Sequence, residues 1–251
     1  LSRPVSKESN EGAKFIDPDI LINSKASINY FHFSARWAKT YFQNVSIDLL
    51  KKFYNIGYFY CEVPAYNPDW IDNFDYFHEI WTASSFCHDS ISKVCKIPVH
   101  IVPPTLDEYI PKSASSKIKK EKTSSEDSFV FLTIANVFSD IKRKNVTGVI
   151  DSFKKAFPKQ QNNKVRLIVK LTNFTGEEIE EKNIIEKVSN DRRILLITKH
   201  YSEKEIDALY EKANVYISLH RAEGWGLTIS DALLRGIPCI YTNYSGNVDF
   251  C

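Results

Sequence analysis

Ser218-Leu219-His220-Arg221-Ala222-Glu223-Gly224-Trp225-Gly226-Leu227-Thr228-Ile229-Ser230-Asp231-Ala232 is the stretch that decides the fold. An apolar run, Val215–Leu219, enters a loop with two glycines, and the loop opens a helix that reaches about Arg235. Gly236 stands at the position that closes a helix, with Pro238 just beyond. Gly224 and Gly226 let backbone N–H groups approach a ligand closely. The helix start adds unpaired N–H groups and a positive dipole end, a seat for phosphate. Glu223 in the loop and Asp231 in the helix bring two carboxylates near the same helix mouth, where they can accept hydrogen bonds from sugar and ribose hydroxyls. Blander roles exist for the same residues. Strand, glycine loop and helix recur in many α/β proteins. Asp231 stands three residues after Thr228, as a capping partner would. Trp225 fits a core aromatic and His220 a hydrogen-bonded structural histidine.

Upstream, the alternation of short apolar runs with helical patterns continues. Phe129–Ala135, Val165–Leu171, Ile194–Thr198 and Cys239–Thr242 read as strands. Val149, Ile150, Phe153 and Phe157 recur at helical spacing, and Ser202 with Glu205 forms a capping box for a helix carrying Ile206, Leu209, Tyr210 and Ala213. A first set of strand-like runs comprises Ile20–Ile22, Ile56–Phe59 with Tyr60, His78–Thr82 and Val99–Val102. Helical segments are expected at 37–42, 47–53 and 84–94. Residues 1–18 read as a polar loop. The pattern predicts an α/β protein of two Rossmann-like domains with parallel sheets facing a cleft, both incomplete. The expected boundaries are 1–104 for the first domain, 105–127 for a polar linker and 128–251 for the second.

The 251 residues are 43% hydrophobic and 25% charged, with a formal net charge of +2. No footprint for nucleic acid is visible. The dense basic cluster Lys117, Lys119, Lys120 and Lys122 reads first as a solvated linker, with contact to an anionic membrane as the sharper alternative. The cysteines, Cys61, Cys87, Cys95, Cys239 and Cys251, are odd in number and lack Cys-x-x-Cys spacing, which points to a reducing compartment and away from a zinc site. No apolar run approaches the roughly 18 residues of a spanning helix. Cytoplasmic localisation is the expectation. The chain has no Met and stops soon after its last strand-like run, so it reads as truncated at both ends.

The Glu223–Asp231 stretch resembles the donor site of family 4 (group 1) retaining glycosyltransferases of the GT-B fold. That family carries a Glu, seven residues, then a second Glu, with an aromatic between two glycines after the first. Tyr244-Ser245-Gly246-Asn247-Val248-Asp249-Phe250, Ile56-Gly57-Tyr58 through Glu62-Val63-Pro64 to Trp70, and Glu79 through Phe86 resemble a branch that assembles polysaccharide and lipopolysaccharide. The resemblance implies that Glu223 contacts the transferred sugar and that Asp231 holds the ribose. It assigns the diphosphate to the loop and helix start at Gly224, Trp225, Gly226, Leu227 and Thr228, with Arg143 and Lys144 as neutralising cations. The plain alternative for Arg143 and Lys144 is a solvated helix start. Glu62, at a strand end before Pro64, is a candidate sugar or acceptor contact, with a rim salt bridge as its alternative. His32 reads as a packed histidine.

Two features depart from the family. The second acid is Asp, one methylene shorter, and the Gly-Arg pair that many members carry just before the phosphate lysine is absent, with Phe138-Ser139 near that place and Arg143 as its substitute. The implied reaction moves a hexose from a nucleoside-diphosphate sugar to a saccharide, lipid-linked or protein acceptor, without metal or other cofactor. The expected partners are thus that donor and acceptor, with peripheral membrane association as a further expectation and no nucleic acid. A non-catalytic binding or scaffold subunit, a nucleotide-sugar epimerase and a phosphorylase are the competing classes.

Overall fold

In the first of the chain's two units, Leu1–Val102, four short strands pair in parallel in the order β1-β2-β3-β4. They are β1 (Ile28–His32), β2 (Tyr54–Tyr58), β3 (Glu79–Thr82) and β4 (Val99–Ile101). The computed structural model describes residues 25, 27–33, 37–105, 128–158 and 164–251. The opening loop, the Ile20–Ile22 run, the Lys117–Lys122 cluster and the linker after residue 105 lie outside the described residues. Among the described residues, helices α1 (Ala38–Tyr41), α2 (Ile47–Leu50) and α3 (Ser85–Ser92) and a 3-10 helix at Pro68–Tyr76 lie between the strands of the unit. Its core joins Phe42, Leu50, Phe59, Phe77, Ile80 and Ile91.

The sequence placed β2 two residues late and gave no strand at β1. The two corrections share one cause. β1 pairs Ile28 with Tyr54 and Asn29 with Asn55, so β2 begins two residues ahead of its apolar run. Asn55 is buried there because its amide donates to the carbonyls of Leu50 at 2.9 Å and Tyr76 at 3.2 Å. β1 itself hides because Asn29 and His32 break its apolar residues, and its alternate residues Ile28, Tyr30 and His32 are exposed. Helices α1 and α2 are shorter than their amphipathic windows. After α2 the chain tightens into i→i+3 bonds, Lys52 N–H to Leu49 and Phe53 N–H to Leu50. Ser84 caps α3 as expected, its hydroxyl accepting from the Cys87 N–H at 3.3 Å.

The second unit, Pro103–Cys251, contains β5 (Phe129–Asn136), α4 (Ile141–Lys144), α5 (Val146–Ala156), β6 (Val165–Thr172), α6 (Ile179–Ser189), β7 (Ile194–Ile197), α7 (Glu203–Lys212), β8 (Val215–Ser218), α8 (Leu227–Leu234) and β9 (Cys239–Tyr241). All strands run parallel in the order β7-β6-β5-β8-β9. One core cluster packs Val149, Ile150 and Phe153 of α5 and Ile184 of α6 with Phe131, Leu167 and Leu171. A second packs Leu209 and Tyr210 of α7 and Ile229 of α8 with Leu132, Ile168 and Tyr216. Helices on both faces explain why β5 and β6 are mostly apolar rather than alternating, with Arg166 and Lys170 as the charged exceptions in β6. Strand order reverses between β5 and β8. That is the topological switch point at which open α/β sheets bind ligands, beyond the carboxyl ends of the strands.

Helix α6 gave no apolar signal, since Ile179 and Ile185 are exposed and Ile184 alone of its hydrophobic residues is fully buried. It opens on Glu178 and Glu181 rather than on Ser or Thr. The buried Glu181 carboxylate accepts from the N–H groups of Thr175, Gly176, Glu177 and Glu178. These bonds pull its pKa down against the opposing effect of burial. The Ser202 capping box forms as expected, and Gly236 follows α8 with φ +70°.

Candidate functional site

The loops leaving β5 and β8 meet at the switch point. Asp140, at φ 62°, caps α4 by accepting from the N–H groups of Lys142 at 3.1 Å and Arg143 at 3.3 Å. Four bonds then knit α4 and its C-cap Asn145 to the loop after β8, one of them from Arg221 Nη1 to the Lys142 carbonyl. Asn145 Nδ2 donates to Leu219 O at 2.7 Å, Arg221 N to Arg143 O at 2.8 Å, and Arg143 Nη1 to Ala222 O at 2.6 Å. Between them lies a buried ionic group. Lys144 Nζ donates to both oxygens of Glu223, at 2.6 and 2.9 Å, and Arg143 Nη1 stands 3.3 Å from Oε2. The side chains of Arg143, Lys144 and Glu223 are 10%, 18% and 8% exposed. Lys144 and Arg143 are therefore not a solvated helix start. A second Arg143 nitrogen holds the Ser139 carbonyl at 2.8 Å.

Gly226 adopts φ +98° as the N-cap of α8. The first helical donors have no intrahelical acceptor. The N–H groups of Trp225, Gly226, Leu227 and Thr228 meet no protein acceptor among the described residues. The Trp225 ring packs on Phe250 with centroids 4.6 Å apart, so its side chain is a core aromatic. Its buried indole N–H has no partner among the described residues. An open cavity of about 450 Å³, lined by Phe138, Ile141, Asn173, Thr175 and Glu178 among others, also lies past the ends of β5 and β6.

Asp231 lies one turn into α8. Burial raises its carboxyl pKa, Arg235 opposes that rise, and Asp207 adds to it. Arg235 holds the Asp231 carbonyl at 2.9 Å and Asp207 of α7 at 2.6 Å. Glu62 lies in the other unit, half-buried in the loop after β2.

Sequence reasoning missed what holds Glu223. Its N–H donates to Ser245 Oγ at 2.7 Å, and its carbonyl accepts from the Gly246 N–H at 2.9 Å. Ser245 has φ 75° and ψ −153°, a region that side chains rarely enter. His220 supports this turn as a structural histidine. Its Nε2 faces two acceptors, Asn247 Oδ1 at 2.9 Å and the Tyr244 carbonyl at 3.2 Å, so Nε2 carries a proton, and Nδ1 hydrogen-bonds the Ser218 hydroxyl at 3.0 Å. The signal was present in the Tyr244–Phe250 motif, but spacing alone did not tie that motif to Glu223.

A family model described as Glycosyl transferases group 1 matches residues 115–251, more than half of the chain. The chain belongs to this family. No curated protein matches it at the level of sequence. Among solved structures, it is similar to the UDP-forming alpha,alpha-trehalose-phosphate synthase of Burkholderia xenovorans in complex with glucose-6-phosphate. That match has a TM-score of 0.68 at 12% identity, over 92% of this chain and 61% of that one. The N-terminal domain of Candida albicans trehalose-6-phosphate phosphatase matches with a TM-score of 0.65 at 14% identity, over 92% and 59%. A trehalose-6-phosphate synthase studied with bisubstrate glycomimetics for glycosyltransfer with retention matches with a TM-score of 0.64 at 10% identity, over 92% and 62%. The chain thus spans about three fifths of the length of these structures. At such identities the likeness is one of fold, two α/β Rossmann-like units with parallel sheets, in agreement with GT-B architecture. For this group 1 member, no cluster of three or more His, Cys, Asp or Glu side chains able to hold a metal occurs among the described residues. No helix among them is long and apolar enough to cross a membrane.

Proposed function

We propose that this chain carries the donor site of a retaining glycosyltransferase that moves a hexose from a nucleoside-diphosphate sugar to an acceptor hydroxyl. The observation that carries this reading is the switch-point group: a carboxylate buried against two cations, beside consecutive unpaired N–H groups at a helix start. One formal negative charge faces two positive ones, so the group suits an added anion. The diphosphate would lie on the N–H groups of Trp225, Gly226, Leu227 and Thr228, with Gly224 allowing its close approach. Lys144 would exchange Glu223 for a phosphate oxygen, which frees the Glu223 carboxylate for the sugar hydroxyls. Arg143 adds charge while its guanidinium holds the two loops. Asp231 would accept from the ribose hydroxyls, and Glu62 is assigned to the acceptor side.

In the reaction, the bond between the anomeric carbon and the diphosphate oxygen breaks, and the electron pair leaves with the diphosphate. The acceptor oxygen bonds to the same face of the sugar, and its proton passes to the departing phosphate oxygen. The cations and N–H groups supply the charge stabilisation that this step requires, so no metal or other cofactor is invoked. The Tyr244–Phe250 turn locked to Glu223 supports assignment to family 4 and its polysaccharide and lipopolysaccharide assembly branch. A saccharide, lipid-linked or protein acceptor fits that branch, as does a cytoplasmic enzyme in peripheral contact with the membrane.

The test is incubation with UDP-, GDP- and ADP-hexoses and saccharide acceptors. One nucleoside diphosphate should be released in proportion to glycosylated product, and Glu223→Ala should lower the rate by about 100-fold or more. An altered hexose without release would point to an epimerase. Binding without turnover would point to a scaffold, which the shorter acid at Asp231 also favours.

A further inference from the structure

Lys170, near the C-terminal end of β6, is fully buried. Among the described residues no carboxylate pairs with it. Its ammonium donates to the carbonyls of Leu171 at 2.8 Å and Lys199 at 3.0 Å, and it stands 5.2 Å from the centroid of the Tyr201 ring. A buried cation without a counter-ion is less stable than an apolar side chain of the same size, and burial pushes the Lys170 pKa down. What the ammonium accomplishes is a tether, fastening the end of β6 to the turn 198–202 between β7 and α7.

That turn opens at the same sheet edge as the site after β5 and β8. α7 packs beside α8: Tyr210, in the last turn of α7, donates to the Thr228 carbonyl at the start of α8 at 3.1 Å, and Arg235 links the Asp231 carbonyl to Asp207, one turn into α7. A nucleotide with its diphosphate at the start of α8 and its ribose at Asp231 would direct its base toward the turn that leads into α7. We propose that Lys170 is a positioning residue that fixes the backbone of residues 198–201 as the edge that reads the nucleobase, and so sets which base is accepted. Backbone donors and acceptors held in one register reject a base with the wrong hydrogen-bonding pattern, because buried groups would be left unpaired. This role rests on the donor site proposed above.

The experiment titrates UDP, GDP, ADP and inorganic pyrophosphate onto the full chain and its Lys170→Met variant by calorimetry. The unaltered chain should prefer one nucleotide by about tenfold or more. In Lys170→Met that preference should shrink to about threefold or less, with pyrophosphate affinity unchanged. A preference kept in full by a folded variant overturns the role of Lys170. A second readout needs no variant. Hydrogen exchange on the unaltered chain should show amides 198–202 gaining protection with the preferred nucleotide and not with pyrophosphate, and equal protection overturns the inference. If pyrophosphate binds but no base is preferred, the inference alone fails. If neither pyrophosphate nor any nucleotide binds, the donor site itself is wrong, and the role of Lys170 falls with it.

Discussion

Glu223 already occupies the charges that a diphosphate would use. Glu223→Gln would leave Lys144 and Arg143 facing a neutral amide in a buried place, and losing one partner of a buried ion pair costs about 3 kcal/mol. The melting temperature should fall, and pyrophosphate should raise it more in the variant than in the parent. An unchanged melting temperature would show that the ionic group contributes little. Asp231 makes the opposite case. Burial raises its folded pKa above the unfolded value, so its ionised form is disfavoured in the folded state. The penalty is present above the raised pKa and disappears as pH falls through it. Asp231→Asn should therefore stabilise the ligand-free chain near about pH 7, and the gain should shrink in acid. The same variant should bind the preferred nucleoside diphosphate more weakly, since an amide offers a ribose fewer acceptors. Thermal melts at two pH values and one titration check both effects.

At the scale of elements, α8 and its glycine cap are the working part. Gly226 has φ +98°, and a Cβ there would come 3.3 Å from the Asn247 Cβ. Gly226→Ala meets both the close contact and a conformation that costs about 1–2 kcal/mol for a side chain. It should shift the start of α8 and weaken pyrophosphate binding by about tenfold, as a calorimetric titration would read. This element was legible in the sequence because glycines, caps and a buried strand all lie close together along the chain. So were β5, β6 and the helix opened by Ser202. What escaped was set by partners distant in sequence. β1 becomes a strand through pairing with β2, α6 starts on a carboxylate that gathers backbone N–H groups, and the Glu223 backbone is fixed by Ser245, 22 positions away. The residues of the ionic group were each named from the sequence, but their direct contact across 79 positions was not.

At the scale of the whole molecule, each unit has its own core, one around Phe59 and Ile80 and the others around the second sheet. Separate cores predict separate unfolding, so scanning calorimetry should resolve two transitions. Pyrophosphate should raise only the one belonging to the second unit, where every phosphate-facing group lies, and a shift of both would place the ligand elsewhere. The most direct test of the donor site is a crystal structure grown with the nucleoside diphosphate that binds most tightly. The account predicts the diphosphate on the N–H groups of Trp225 through Thr228, Lys144 moved from Glu223 to a phosphate oxygen, and the ribose at Asp231. A nucleotide bound away from the β5–β8 switch point, or one bound there with Lys144 still on Glu223, would contradict it.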